Sequence, residues 1–352
     1  MSGTSADGLT VCAITPKPFQ IVHFKNYPYE KRFQQNLLRA FTYTAAQLSQ
    51  LHYEIGKRYT AIVRKFLKDF QLSPRQIEAI GMHGQTIYHG PHDKVPNTLQ
   101  LGEPSFLAQA FGVPVVSDFR AMDIVLGGEG APLMPFFDNY LWGQGKTPKI
   151  LLNIGGISNL SVVGKNRRPL GFDCGPGNTL LDLACAQHFH KPFDKDGSLA
   201  ARGKADRALV KKLLKQKFFL QKPPKSLDKN FFGKTYLTTH FPIKDPYDLL
   251  ATLTYFTAAC IAKAISDFVP VRAQKEVVVS GGGCYNKTLL KFLQEALAPM
   301  QVRTSSSYHI DPQAKESAAF ALFGWLNLQR KINHCAQATG AKRSTVLGKV
   351  TQ

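Results

Sequence analysis

The sequence has no G-x-x-x-x-G-K-[ST] tract, which excludes a P-loop as its means of holding phosphate. It has no C-x-x-C pair either. Its cysteines, Cys12, Cys174, Cys185, Cys260, Cys284 and Cys335, are scattered, so neither a zinc site nor a disulfide framework follows, and reduced thiols are expected. No basic, apolar leader opens the chain, which makes export unexpected and a cytoplasmic location the expectation. No run approaches the roughly 20 apolar residues of a membrane span. The longest uncharged apolar stretch, Leu249 to Ala262, contains three threonines and reads as a buried helix, so no membrane partner is expected. Low-complexity tracts and solenoid repeats are missing as well. Acidic residues are scarce, 24 Asp and Glu against 44 Lys and Arg, for a formal net charge of +20. The basic residues are nevertheless dispersed in short pairs such as Lys211-Lys212 and Arg167-Arg168, and neither terminus carries a helix-turn-helix. No nucleic-acid partner is therefore expected, whereas a basic surface would draw ATP or an acidic substrate.

What is present is a set of glycine turns that follow strand-like runs. The chain opens on Met1-Ser2-Gly3-Thr4-Ser5-Ala6-Asp7-Gly8. Small residues let backbone amides crowd around an anion, Thr4 and Ser5 add hydroxyl donors, and Asp7 could hold magnesium through water. Alone, a surface turn would read the same. Lys149–Ile154 is a second apolar run; it meets Gly155-Gly156 and returns as Ile157–Val163, so strand, glycine turn and strand repeat the opening device. Glu276–Ser280 then runs into Gly281-Gly282-Gly283, with Asn286 as N-cap of a helix from Lys287. Two phosphate-type hairpins and a third glycine site resemble the duplicated nucleotide-binding core of the sugar kinase, Hsp70 and actin superfamily. That resemblance implies an α/β, two-domain actin-like ATPase (ribonuclease H-like) fold with an interdomain cleft. The hairpins would grip ATP and the triple glycine would lie beside the adenosine. A length of 352 residues suits two domains, each with its own core.

Between the turns, apolar residues from Leu48 to Phe70 recur at three- and four-residue steps and predict one long core helix over 44–70. Polar residues gather where predicted strands end, as ligand residues do in open α/β sheets. His83-Gly84-Gln85-Thr86 follows Ala79–Met82; a loop histidine bonded to backbone would look the same. Arg120 follows the strand Val113–Val116 and suits a carboxylate, with a salt bridge to Asp118 or Asp123 as the equal alternative. Asp173 precedes Gly175-Pro176-Gly177-Asn178 in a position that suits a general base. Asp194-Lys195-Asp196-Gly197 lacks the glutamate of a calcium loop and reads as a helix cap. Pro223–Ser226 reads as a rigid connector, and Glu316 falls in the first turn of a helix, where the dipole alone would favour it.

Together the motifs resemble one family, anhydro-N-acetylmuramic acid kinase, across the whole chain. The stretches that carry the likeness include Ser2–Gly8, His83–Thr86, Val115–Arg120, Gly127–Pro132, Asn153–Leu160, Gly171–Asn178, Gly281–Asn286 and Lys315–Ala319. The resemblance implies an ATP-dependent kinase that opens the 1,6-anhydro bridge with water and phosphorylates O6, with ATP and Mg2+ required. On this likeness Gly3, Thr4, Ser5, Ala6, Asp7, Gly8, Leu9 and Thr10 cradle the phosphates, with Asn153, Gly155, Gly156 and Ser158 opposite and Gly281, Gly282 and Gly283 beside the adenosine. Asp173 activates water, Glu316 supports it, Asp7 meets the metal, and His83, Gln85 and Arg120 line the amino sugar. The family also implies one lobe of 1–121 with 311–352 and a second of 122–310; a homodimer is the assembly state to test. In the family a strand precedes the first hairpin, while this sequence starts at the turn and carries Thr10 where an acidic residue is frequent; loss of that flank would weaken ATP binding. The alternatives are another sugar or carboxylate kinase of the superfamily, an ATP-gated chaperone-like binding protein, and a sugar-responsive regulator of nucleic acid.

Overall fold

The structure is a computed structural model that describes residues 1–3, 6–145, 148–165, 170–223, 225–227, 231–269 and 276–352. Thr4 and Ser5 of the opening turn, Pro224 of the connector and the Arg167-Arg168 pair lie outside the described residues. The chain divides into two units, Met1–Phe137 with Ala314–Gln352, and Asp138–Gln313.

The first unit begins with the antiparallel pair β1 (Gly8–Pro16) and β2 (Phe19–Pro28), followed by α1 (Lys31–Arg39) and α2 (Ala45–Asp69). The long helix starts where a capping box forms: Thr44 accepts from the Gln47 amide, and the Gln47 side chain accepts from the Thr44 amide at 2.9 Å. Its stripe of Leu51, Ile55 and Tyr59 is buried against Leu9, Phe33, Leu101, Leu107 and Val115. Next come β3 (Ile80–Gly81), the hairpin β4 (Gln85–Gly90) and β5 (Asn97–Leu101), α3 (Ser105–Phe111), β6 (Val115–Ser117) and α4 (Ala121–Val125). The boundary between the units falls inside α5 (Met134–Trp142). Residues 122–137 thus belong with the first unit, anchored by the buried Asp123.

The second unit is built on one mixed sheet. Its strands are β7 (Lys149–Ile154), β8 (Ile157–Val163), β9 (Leu170–Pro176), β10 (Glu276–Ser280) and β11 (Gln301–Thr304), in the order β11-β10-β7-β8-β9. β7, β8 and β9 form antiparallel hairpins, while β10 and β11 run parallel to β7. This is the ribonuclease H-like arrangement. The helices are α6 (Thr179–Phe189), α7 (Arg207–Leu213), α8 (Lys217–Leu220), α9 (Lys234–His240), α10 (Pro246–Phe268) and α11 (Lys287–Leu297). Asn286 caps α11, accepting from the Leu289 amide at 2.9 Å, and Asp194 caps the turn at Ala200.

By length and a mean hydropathy of 1.5, α10 reaches what a membrane crossing needs, contrary to the reading of composition alone. It is a core helix: Ala258, Ile261, Ala264 and Ile265 pack on Ile150, Leu152, Phe172 and Val277 of the sheet. Its threonines turn inward without penalty because each hydroxyl bonds a carbonyl, Thr254 to Leu250 and Thr257 to Gly177.

The chain then returns to the first unit as α12 (Lys315–Leu328), packed against β1 and β3, followed by α13 (Ala336–Thr339) and β12 (Lys349–Thr351). β12 extends the small sheet β12-β6-β3, so strands of the first unit are shared among three short sheets.

Candidate functional site

In the first unit the opening turn is held by backbone and by one side chain. The Met1 carbonyl accepts from the Thr10 amide at 2.9 Å while the Met1 amine donates to the Thr10 carbonyl at 2.8 Å, so Met1 and Thr10 pair as strand residues do. Ala6 is buried with a left-handed φ of 49°, a conformation worth about 1–3 kcal/mol of strain for a non-glycine residue. Ala6 and Leu9 belong to the core, while Asp7 between them is exposed. Gln85 is buried; its Oε1 accepts from Ser2 Oγ at 2.6 Å, and its Nε2 donates to the Gly3 carbonyl at 3.1 Å. Its carboxamide, expected along a sugar, is thus engaged with the opening turn.

His83 and Arg120 meet directly. Nε of Arg120 donates to Nε2 of His83 at 3.1 Å, and Nδ1 of His83 lies 2.9 Å from the Gly84 carbonyl, so the ring's proton is assigned to Nδ1. Burial, reinforced by the Arg120 charge, holds the imidazole well below its usual range and therefore neutral. The second arm of Arg120 donates to the Gly130 carbonyl at 2.6 Å. Neither Asp118 nor Asp123 forms the salt bridge that sequence alone left open: Asp118 pairs with Lys349 at 2.5 Å, and Asp123 is turned to His334. Glu316, at the start of α12, is partly buried; burial pushes its carboxyl up, while Arg120 and Lys315 oppose the shift. His83, Arg120 and Glu316 thus form one electrostatic group, with Phe320 against the His83 ring.

In the second unit three glycine-rich turns converge. The Gly155 carbonyl accepts from the Asn178 amide at 2.8 Å, and the Gly156 carbonyl accepts from the Gly177 amide at 2.8 Å. The turn between β7 and β8 is thereby stitched to the loop before α6. A Cβ on Gly177 would stand 2.2 Å from the Gly155 carbonyl oxygen, so only glycine permits the approach. Gly281 has φ of 81°, and a Cβ there would meet Asn153 Oδ1 and the Ile154 carbonyl, both at 2.7 Å. Gly282 is open toward Asn178, and Gly283 lies against Ile154. The turns sit past the carboxyl ends of β7 and β10, the usual ligand position in such sheets. Ser158 is fully buried and bonds the Gly175 and Pro176 carbonyls, which makes it part of the scaffold.

Asp173 lies on β9 opposite Asn159, just upstream of the glycine loop. Its Oδ2 accepts from the Leu227 amide at 2.8 Å, and its own amide donates to the Lys225 carbonyl at 3.1 Å. The segment expected to be a connector therefore lies along Asp173. It is pinned there by Lys225, whose buried ammonium sits over Phe218 and Phe268, each at 4.6 Å, and donates to the Phe218 carbonyl. Among the described residues no group of three or more His, Cys, Asp or Glu side chains is placed to hold a metal ion.

The whole chain, residues 1–352, matches the family model described as anhydro-N-acetylmuramic acid kinase. The chain belongs to the anhydro-N-acetylmuramic acid kinase family. It is 36% identical to the protein of that name from Caldanaerobacter subterraneus, with 100% of this chain and 95% of that one covered. Against those of Pseudomonas syringae and Pasteurella multocida it is 37% and 35% identical, covering 99% of this chain and 97% and 95% of theirs.

Membership makes the protein a phosphotransferase that uses ATP. Three features of this family member escaped the sequence reading. The Gln85 bonds to Ser2 and Gly3 and the Asp123 cluster join residues far apart in sequence, while the Lys225 anchor was hinted at only by the aromatic richness of 217–256.

Proposed function

We propose that the chain opens the bridge of 1,6-anhydro-N-acetylmuramic acid with water and transfers the γ-phosphoryl group of ATP to the freed O6, giving N-acetylmuramate 6-phosphate and ADP. The observation that carries the nucleotide half is the stitching of Gly155-Gly156 to Gly177-Asn178 beside Gly281–Gly283, three turns brought together at strand ends. Glycine turns fixed this closely, with no side chains between them, let a phosphate chain approach the backbone. The opening turn, with Gly3, Ala6 and Gly8 to Thr10, is the second phosphate-facing element, and Gln85 holds its shape.

Bridge opening needs a base on the face opposite the leaving oxygen, as in inverting glycoside hydrolysis. Asp173 takes a proton from the attacking water as the bond from water oxygen to C1 forms and the C1–O6 bond breaks. O6 then attacks the γ-phosphorus and ADP leaves. The Leu227 amide on Oδ2 fixes the carboxylate's direction beside residues 225–227. Arg120, oriented by neutral His83, meets the lactyl carboxylate, and Glu316 lies close enough to sense its charge.

A magnesium ion fits Asp7, an exposed carboxylate whose backbone is fixed by the bond from the Tyr29 amide to the Asp7 carbonyl at 3.0 Å. Such ions take one or two carboxylates and complete their shell with phosphate and water, which suits the absence of a larger acidic cluster among the described residues. When bound it supplies charge neutralisation at the phosphates.

The test is ADP release from ATP and magnesium with and without the anhydro sugar, with the product's mass. Strong stimulation and a product heavier by water and phosphate are expected. ATP binding without stimulation would contradict the substrate and leave a kinase for another sugar.

A further inference from the structure

Asp123 lies in α4, outside the groups assigned above, and is fully buried. One of its oxygens, Oδ1, meets Nε2 of His334 and Oγ1 of Thr339, each at 2.5 Å. The other, Oδ2, accepts from the Gly130 amide at 2.5 Å, and the Asp123 carbonyl accepts from the Gly128 amide at 2.9 Å. The Glu129 amide between them donates to the Thr339 carbonyl at 2.8 Å. A Cβ on Gly128 would stand 2.4 Å from Oδ2, so the loop is wrapped directly onto the carboxylate. Burial raises the Asp123 carboxyl, but bonds from His334, Thr339 and Gly130 outweigh it and keep the group ionised.

Both ends of this cluster reach the candidate site. The carbonyl of Gly130, whose amide Asp123 holds, is the oxygen that receives Arg120. On the far side, Asn333 beside His334 donates to the Phe323 carbonyl of α12 at 2.9 Å, and α12 begins with Lys315 and Glu316. His334 and Thr339 are themselves buried, so the carboxylate faces protein donors on every bond and no solvent. A buried carboxylate with three donors is a stiff joint, since loss of any one leaves a buried acceptor position unsatisfied.

We propose that Asp123 is a positioning residue for the sugar side of the site: clamped by His334 and Thr339, it fixes the loop Gly128–Gly130 and through the Gly130 carbonyl sets the direction of Arg120. This rests on the reading of Arg120 as the group that meets the substrate carboxylate. The tail of the chain, through His334 and Thr339, then bears on the substrate site by way of Asp123.

The test compares Thr339→Val, Thr339→Ser and Arg120→Lys, and the double variant of Thr339→Val with Arg120→Lys, in the full-length enzyme. Thr339→Val should raise KM for the anhydro sugar about 3–10-fold, the weight of one hydrogen bond to a charged group felt at second hand, and leave KM for ATP within about twofold. Thr339→Ser, which keeps the hydroxyl, should restore the wild-type value. In the Arg120→Lys background the effect of Thr339→Val on sugar KM should vanish, because the two act in series. Additive effects, equal rises in both KM values, or a lower Tm with sugar KM unchanged would overturn the proposal. If Arg120→Lys alone left sugar KM unchanged, the assignment of Arg120 would fall first and the proposal with it.

Discussion

The Nε–H of Arg120 points at the unprotonated nitrogen of His83, 3.1 Å away, while the other ring nitrogen is spent on the Gly84 carbonyl. A neutral imidazole is thus a fixed acceptor for a buried cation. His83→Ala removes that acceptor and should raise sugar KM about 10-fold or more, with His83→Gln less damaging because its carbonyl oxygen can replace the nitrogen. Steady-state kinetics on both variants decides it, and equal effects would contradict the acceptor role. Because burial and Arg120 keep the ring neutral, sugar KM should show no step from His83 between pH 6 and 8.

Asp182, in the first turn of α6, is pushed up to about 7 by burial. Between its ordinary range near 3.8 and that value, the folded chain holds a proton that the unfolded chain has lost. Stability should therefore fall as pH rises across this window and then level off. Asp182→Asn removes the ionisation, so its advantage over wild type should grow by about 1–3 kcal/mol between pH 5 and pH 8. Thermal unfolding at the two pH values reads this as a Tm difference that widens by several degrees; a constant difference would contradict it.

Gly177→Ala places a methyl group against the Gly155 carbonyl. The stitched turns must part, at a cost of about 1–3 kcal/mol. ATP affinity should fall at least 10-fold while sugar binding persists. Calorimetric titration of each ligand distinguishes this from general unfolding, which would remove both.

Asp173→Asn keeps the shape and the bond from Leu227 but loses the base. A fall in kcat of about 10²–10⁴-fold with ATP affinity unchanged is expected. Near-normal turnover would remove Asp173 from the chemistry.

Local signals were legible in the sequence. The apolar stripe over 44–70 announced α2 almost to the residue, Asn286 announced α11, and the glycine pairs marked the turns that converge in the second unit. What was hidden depends on contacts across the chain. Ser2 meets Gln85 at a separation of 83 residues, and Thr339 meets Asp123 at 216. Neither periodicity nor capping reports such pairs, so the hold of Gln85 on the opening turn and the turn of Asp123 to His334 were not legible. The connector reading of Pro223–Ser226 gave no sign of burial, yet Lys225 is buried among phenylalanines and anchors the segment along Asp173. α10 is the converse case, its apolar run long enough for a membrane because both the sheet and the neighbouring helices cover it.

The central claim is that water, activated by Asp173, attacks the anomeric carbon opposite the bridge oxygen while O6 receives phosphate. The most direct measurement is proton NMR of the first-formed product, taken before its anomers equilibrate. The account predicts N-acetylmuramate 6-phosphate with the anomeric configuration inverted relative to the anhydro bridge. A first-formed product that retains the configuration, or a phosphorylated sugar with its bridge intact, would contradict it.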